Sequence, residues 1–423
     1  MTKWSPQQDD ALMKVSRWLK DPQDKQLFRL FGYAGTGKTT LAKHLAQDVP
    51  GRVMFAAYTG KATSVLRRSG APNAQTIHSL IYNPKERSKE RLNDLKAERE
   101  EIQQMIAEDA AEARAEGYPA DQYVTPKKLA DRLQKVETEI RLEERSKASP
   151  DFDLKYDSDL NGAKLLVVDE CSMVDETMAL DIMSYGVPVL VLGDPAQLPP
   201  VKGTGYFTDA RPDIMLTEIH RQARDNPIIE LATRVRNNEA LLLGQYGSSS
   251  VISRATPELA LAADQVLVGR NATRRSTNKR MRELKGYGGS PLPLEGEKLV
   301  CLRNDKDLGL LNGTLHITTD DAHEVGGYVN LRIRPEELDE TASILVPAHR
   351  EHFQGDPEEI GYWDRRNAQE FTYGYALTVH KSQGSQWGNV LVIDEGDAFK
   401  KDRTRWLYTA ITRAQDTVTV VRS

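Results

Sequence analysis

Residues 32–39 read Gly32-Tyr33-Ala34-Gly35-Thr36-Gly37-Lys38-Thr39 and fit the phosphate-loop pattern G-x-x-x-x-G-K-[ST] at every fixed position. Its flanks give the match its weight. Leu27–Phe31 ahead of it is an apolar run suited to a short buried strand. Thr40–Gln47 behind it places Leu41, Ala42 and Leu45 on one side of a helix. Strand, glycine loop and helix is the order that turns curled backbone N–H groups and a helix N-terminus toward phosphate oxygens. In that frame Gly32, Gly35, Thr36, Gly37 and Thr40 form the cradle. Lys38 reaches the β- and γ-phosphates, and the Thr39 hydroxyl ligates the Mg2+ of a bound ATP.

Working outward, Leu165-Leu166-Val167-Val168 reads as a central parallel strand, buried on both faces, that ends in Asp169-Glu170. Open α/β sheets bind ligands at the carboxyl ends of their strands. Asp169 is therefore the metal candidate, and Glu170 the base that orients the attacking water. A third apolar run, Val187–Leu192, leads into Gly193-Asp194-Pro195-Ala196-Gln197-Leu198-Pro199-Pro200, where Gln197 is placed to sense the γ-phosphate. An Asp-Glu pair alone would read as a solvated strand end. Three strand-then-polar-loop units in one chain read as a doubly wound nucleotide-binding lobe.

Composition sets the outer bounds. The 423 residues are 39% apolar and 28% charged, and 57 basic against 62 acidic residues leave a net charge of −5. A passive, charge-driven nucleic-acid coat is disfavoured, so any polynucleotide contact must be a local basic groove. Cys171 and Cys301 are too few for a disulfide framework or a zinc site. With no apolar signal core in Met1–Asp10 and no run of about 18 apolar residues, the expectation is a cytoplasmic protein without a membrane partner.

The motifs together, in order over most of the chain, resemble a superfamily 1B helicase motor of the RecD and phage Dda group. GYAGTGKT corresponds to motif I, Asp169–Met173 (DECSM) to motif II and GDPAQLPP to motif III. Ala56–Ala62 (AAYTGKA) resembles motif Ia, and Thr76-Ile77-His78-Ser79 the next DNA-facing motif. Glu218-Ile219-His220-Arg221-Gln222 resembles motif IV, Tyr375–Gly384 motif V, and Tyr408–Ala414 (YTAITRA) motif VI. The resemblance implies that Gln8 reads adenine, with Gln7 an adjacent alternative, and that Arg221 and Arg413 both meet the γ-phosphate. It also implies that Thr59, Lys61, Thr76, His78, Thr378 and His380 face DNA. His78 and His380 read equally well as buried structural histidines. Tyr58, Tyr373 and Trp387 are candidate stacking platforms, and Arg270, Arg274 and Arg275 candidate phosphate contacts. The implied activity is 5′-to-3′ unwinding of tailed duplex DNA by movement on single-stranded DNA. The alternatives are a translocase that unwinds weakly, an RNA helicase of the same superfamily, and a non-motor ATP switch. The chain ends soon after Arg413, so no nuclease domain is expected.

The fold class expected is α/β: two RecA-like parallel-sheet motor lobes, a helical insertion in the first and a small β-rich, SH3-like insertion in the second. The first lobe takes residues 1–84 and 148–210, the second 211–295 and 369–423. Leu92, Leu95, Ile102 and Ile106, then Leu129, Leu133, Val136 and Ile140, recur at near-heptad spacing. They predict an antiparallel helical hairpin over 85–147 with its tip near 117–126, where the family usually has a short β-hairpin wedge. That arm either splits strands or docks a protein partner. Residues 296–368 form the second insertion, with short strands at Lys298–Leu302, Thr314–Thr318 and Tyr328–Ile333. Gly247-Ser248-Ser249-Ser250 reads as a loop.

Overall fold

The computed structural model describes residues 4–21, 25–84, 89–115, 124–146, 152–199, 205–218, 225–305, 308–336, 343–360, 365 and 367–422. Contacts divide the chain into two compact units, Met1–Leu80 with Asp157–Ser423, and Ile81–Tyr156. The first eight strands are β1 (Leu27–Gly32), β2 (Val53–Ala57), β3 (Gln75–Thr76), β4 (Tyr82–Pro84), β5 (Phe152–Leu154), β6 (Leu165–Asp169), β7 (Val189–Gly193) and β8 (Ile214–Leu216).

Six of these form an all-parallel sheet in the order β3-β2-β6-β7-β1-β8. Its central strands are apolar without alternation, as helices on both faces require: every residue of Leu165–Val168 and of Val189–Gly193 is buried. Register aligns their carboxyl ends. Ala57 pairs with Asp169, Phe31 with Gly193, and Gly32 with Leu216. The phosphate loop, the acidic pair and the loop after β7 therefore leave the sheet at one edge. The leading helix Pro6–Lys20 starts at a capping box. Ser5 Oγ accepts from Gln8 N, the Gln8 side chain accepts from Ser5 N, and Pro6 opens the first turn.

The second sheet is built from β9 (Gly244–Tyr246), β10 (Ser249–Ile252), β11 (Gln265–Val268), β18 (Ala376–Thr378), β19 (Trp387–Ile393) and β20 (Ala414–Val421). Its order is β18-β11-β19-β20-β10-β9, parallel except for the β9–β10 hairpin. That hairpin corrects the loop expected over 247–250. Gly247 (φ +54) and Ser248 make the turn, while Ser249 and Ser250 sit in β10, with Ser249 Oγ accepting from Val418 N. Serine rarely signals a strand, and here buried pairing outweighs propensity.

A third, antiparallel sheet runs β14 (His323–Val325), β15 (Tyr328–Pro335), β13 (Leu315–Thr318), β12 (Lys298–Cys301), β17 (Phe371–Tyr373), with β16 (Ile344–His349) on β15. A bridge between Ala348 and Gln369 draws its two ends together. It reaches past the expected limit at 368, because Phe371–Tyr373 pairs with β12 rather than with the second sheet. Tyr373 is thus core, with the Arg282 guanidinium over its ring, and not a stacking platform.

The unit Ile81–Tyr156 contains helices Lys89–Ala115 and Lys127–Ser146 and the antiparallel pair β4–β5. The longer helix spans about 40 Å at 1.5 Å per residue. The expected tip at 117–126 lies mostly outside the described residues. Leu95, Ile102, Val136 and Ile140 form a small core, and Arg132 bridges to Glu98 across the two helices. With so few buried side chains, Ile102→Ala should cost about 3 kcal/mol. The expected outcome is faster tryptic cleavage within 89–146. Unchanged protection would contradict this packing. No described helix is long and apolar enough to cross a membrane.

Candidate active site

The phosphate loop is wound tightly by its own side chains. Gly35 and Gly37 both take φ +78, the left-handed region that glycine enters without strain. A Cβ on Gly32 would lie 2.6 Å from Thr36 Oγ1 and 2.8 Å from Leu216 Cβ, so the strand exit admits nothing larger. Thr36 Oγ1 donates to Tyr33 O at 2.8 Å. Lys38 Nζ donates to Gly32 O at 2.6 Å and Tyr33 O at 3.1 Å, which aims its third N–H away from the loop. Thr39, Thr40, Gly35 and Lys38 line a cleft of about 390 Å3, a volume that suits a nucleotide-sized ligand.

Four further candidates enter the same cleft. Thr39 Oγ1 donates to Asp169 Oδ2 at 2.9 Å, and Glu170 N donates to Asp169 Oδ1 at 2.8 Å. Burial, then the Glu170 charge, raise the Asp169 carboxyl above its usual range. Glu170 itself holds a left-handed backbone (φ 51, ψ 46), a strain of about 1 kcal/mol for a residue with a Cβ. Gln197 links the two lobes. In the amide orientation that satisfies both neighbours, its N–H donates to Glu170 Oε2 at 3.2 Å and its oxygen accepts from Arg413 Nη2 at 3.3 Å. Arg413 is 2% exposed, and its other bonds go to neutral acceptors, Thr409 O at 3.2 Å, Ser385 O at 3.3 Å and Thr412 Oγ1 at 3.5 Å. It forms no ion pair among the described residues.

The other candidates stand as follows. Arg221 lies outside the described residues. Gln8 is buried, with Nε2 donating to Thr36 O at 3.0 Å, which ties the first helix to the phosphate loop. Gln7 instead accepts from Thr217 N and Glu218 N. Thr59 caps the helix Gly60–Arg68, Thr76 Oγ1 accepts from Ser79 N, and Thr378 Oγ1 accepts from Lys381 N. Lys61 is buried with Nζ 4.5 Å from the centroid of the Trp387 ring, so Trp387 packs a cation across the lobe boundary rather than offering an open stacking face. Tyr58 sits edge-on to His78 and His380 against Phe399; burial lowers both histidines.

A family described as AAA domain matches residues 4–256, and one described as UvrD-like helicase C-terminal domain matches 373–421. The first match spans most of the chain and contains every element of the phosphate-loop lobe. The chain belongs to this AAA domain family, within the superfamily 1B helicases. A curated relative, the ATP-dependent RecD2 DNA helicase of Deinococcus radiodurans, is 29% identical over 284 residues, covering 60% of this chain and 35% of that protein. The chain thus spans about a third of that relative's length. The crystal structure of Bacteroides Pif1 bound to ssDNA superposes with a TM-score of 0.51 at 17% identity, over 99% of this chain and 92% of that one. It shows a shared fold. Pif1 of Candida albicans gives 0.48 at 17% identity, over 100% and 95%.

Within this superfamily 1B architecture, residues that sequence reasoning passed over also meet the site. Tyr408 donates to Asp194 Oδ2 at 2.6 Å and accepts from Ala34 N at 2.9 Å, and the Arg236 guanidinium lies 3.7 Å from the Tyr33 ring centroid. Asp194 and Tyr408 stood inside the quoted motifs. Arg236, the last residue of a helix, carried no local signal.

Proposed function

We propose that this chain is an ATP-driven motor that moves 5′ to 3′ on single-stranded DNA and separates tailed duplexes. The observation that carries the reading is Arg413. A guanidinium buried at the mouth of a phosphate loop, without a carboxylate partner among the described residues, is costly unless an anion completes it. A transferring phosphoryl group is such an anion. In that pose Lys38 and Arg413 neutralise the γ-phosphate from opposite sides. Glu170 takes the proton of the attacking water, and Gln197 keeps base and guanidinium in register. The Thr39 hydroxyl and Asp169 carboxylate are oxygen donors of the kind Mg2+ accepts alongside substrate phosphates, and that ion would supply charge neutralisation.

DNA as the track is supported by the similarity to the Deinococcus DNA helicase and to the Bacteroides protein bound to ssDNA. A cation cluster adds to it. Burial, then Arg275, lowers Arg274; burial, then Arg274, lowers Lys381. Cations that disfavour one another suit a polyphosphate chain. The 5′-to-3′ direction rests on the motif resemblance.

The test is hydrolysis with poly(dT) and poly(rU), together with strand displacement on 5′- and 3′-tailed duplexes. We expect about tenfold or greater stimulation by poly(dT), and displacement of 5′-tailed substrates. Displacement of 3′-tailed substrates alone would reverse the polarity, and preference for poly(rU) would make RNA the track. No stimulation by either polymer would rule out a motor. The helical arm favours one second reading, a translocase that unwinds weakly, since helices stand where the family usually has a β wedge. Deleting residues 88–146 separates the two: unaffected unwinding makes the arm a partner-docking element.

A further inference from the structure

Two elements far apart in sequence hold consecutive residues of the phosphate loop. Ala34 donates its N–H to the Tyr408 hydroxyl at 2.9 Å, and that hydroxyl donates its only proton to Asp194 Oδ2 at 2.6 Å. One residue earlier, the guanidinium of Arg236 lies 3.7 Å from the Tyr33 ring centroid, close enough for a strong cation–π contact. Tyr408 and Asp194 are 1% and 2% exposed, so neither exchanges these bonds for water. Tyr408 and Arg236 do not themselves line the nucleotide cleft.

The leverage lies in the covalent geometry. Tyr33 C=O and Ala34 N–H are the two ends of one peptide group, which is planar and rigid. The N–H end faces Tyr408. The C=O end accepts from Lys38 Nζ at 3.1 Å and from Thr36 Oγ1 at 2.8 Å. Turning that plane from one end must move the oxygen that aims Lys38. The helix Arg403–Ile411 that carries Tyr408 also holds the loop after β7: Leu198 N donates to Thr409 Oγ1 at 2.9 Å, and Gln383 Nε2 from the same lobe donates to Leu198 O at 2.9 Å. A shift of the second lobe therefore pulls on the phosphate loop and on the Gln197 loop together.

We propose that Tyr408 and Arg236 are positioning residues that couple the placement of the second lobe to the 33–34 peptide, and through it to Lys38, so that turnover responds to the polynucleotide the second lobe holds. This deepens the motor reading above and rests on it. The coupling acts on turnover rather than on nucleotide affinity: Tyr408 and Arg236 lie outside the cleft lining, and re-aiming Lys38 leaves its charge in the cleft, unlike its removal by alanine.

The test compares unmodified chain, Tyr408→Phe, Arg236→Met and Arg236→Lys. Poly(dT)-stimulated hydrolysis is followed for kcat and KM, and affinity is read with a fluorescent N-methylanthraniloyl-ATP. Tyr408→Phe should lower stimulated kcat about 10- to 100-fold, within the usual span of coupling between sites. Arg236→Met should lower it about three- to tenfold, with partial recovery in Arg236→Lys. Analogue affinity should stay within about threefold in each. If Tyr408→Phe does not fold, Arg236→Met and its lysine rescue decide alone. Stimulation of the unmodified chain with full kcat in both Tyr408→Phe and Arg236→Met overturns the coupling and leaves the motor reading standing. Equal losses of kcat and affinity also overturn it, by assigning the contacts to binding. No stimulated hydrolysis in the unmodified chain removes the motor reading and the coupling with it.

Discussion

Arg413→Ala should lower maximal ATP hydrolysis by about a thousandfold or more, the range in which a second-lobe arginine stabilises a phosphoryl transition state. The guanidinium is 2% exposed, and among the described residues it bonds neutral oxygens: Thr409 O, Ser385 O, Thr412 Oγ1 and the Gln197 amide. In so dry a setting its charge acts on a developing phosphoryl anion with little screening. Alanine removes that charge and also frees Gln197 from one of its two anchors, so Glu170 loses its fixed position. Arg413→Lys keeps the charge but not the planar fork that spans Gln197 and the main chain, and should recover little. Folding is a separate matter. A buried cation without a carboxylate partner is a weak source of stability, so the thermal midpoint without nucleotide should move by only a few degrees. Steady-state hydrolysis at saturating ATP and a melting curve settle both parts. A rate within tenfold of the unmodified chain would remove Arg413 from the transition state.

Lys38→Ala should reduce hydrolysis to background, a loss on the order of a thousandfold, and weaken ATP binding as well. Two of the lysine's three N–H groups are held by Gly32 O and Tyr33 O, so the ammonium is directed before any nucleotide arrives. Alanine loses the charge and the lysine's bonds to both carbonyls, leaving Tyr33 O held by Thr36 alone, and the loop loosens. The core should not notice. Lys38 begins a helix whose packing side chains are Leu41, Ala42 and Leu45, and β1 beneath it is held by β7 and β8. Turnover, analogue binding and far-ultraviolet circular dichroism test the three statements. Persistent turnover, or loss of helix signal, would contradict the assigned role.

Much of this was legible before any coordinates. Parallel strands buried on both faces must be apolar along their length, so Leu27–Phe31, Leu165–Val168 and Val187–Leu192 announced themselves. The near-heptad repeats of the helical arm did the same for Leu95, Ile102, Val136 and Ile140. Short antiparallel strands were less readable. His323–Val325, Ile344–His349 and Phe371–Tyr373 carry little alternation, and their partners lie far away in sequence. Ser249 and Ser250 lie in a strand because a buried ladder outweighs residue preference. Tyr373 and Trp387 read as stacking platforms since an aromatic side chain does not reveal which face is covered. Arg282 covers one and Lys61 the other.

What the chain's order of residues determined alone is the phosphate loop and the carboxylates at the strand ends. Those chemistries need fixed spacing within one strand–loop–helix unit, and local geometry enforces it. Only tertiary structure decided that Gln197 spans Glu170 and Arg413, that Lys61 is buried on Trp387, and that Tyr408 and Arg236 grip the peptide beside Lys38. Those partners are separated by as many as 374 positions. Nothing in local sequence encodes such a meeting; it follows from the loops at one sheet's edge meeting the helix Arg403–Ile411 and a loop of the other lobe, so that leftover polar groups find one another.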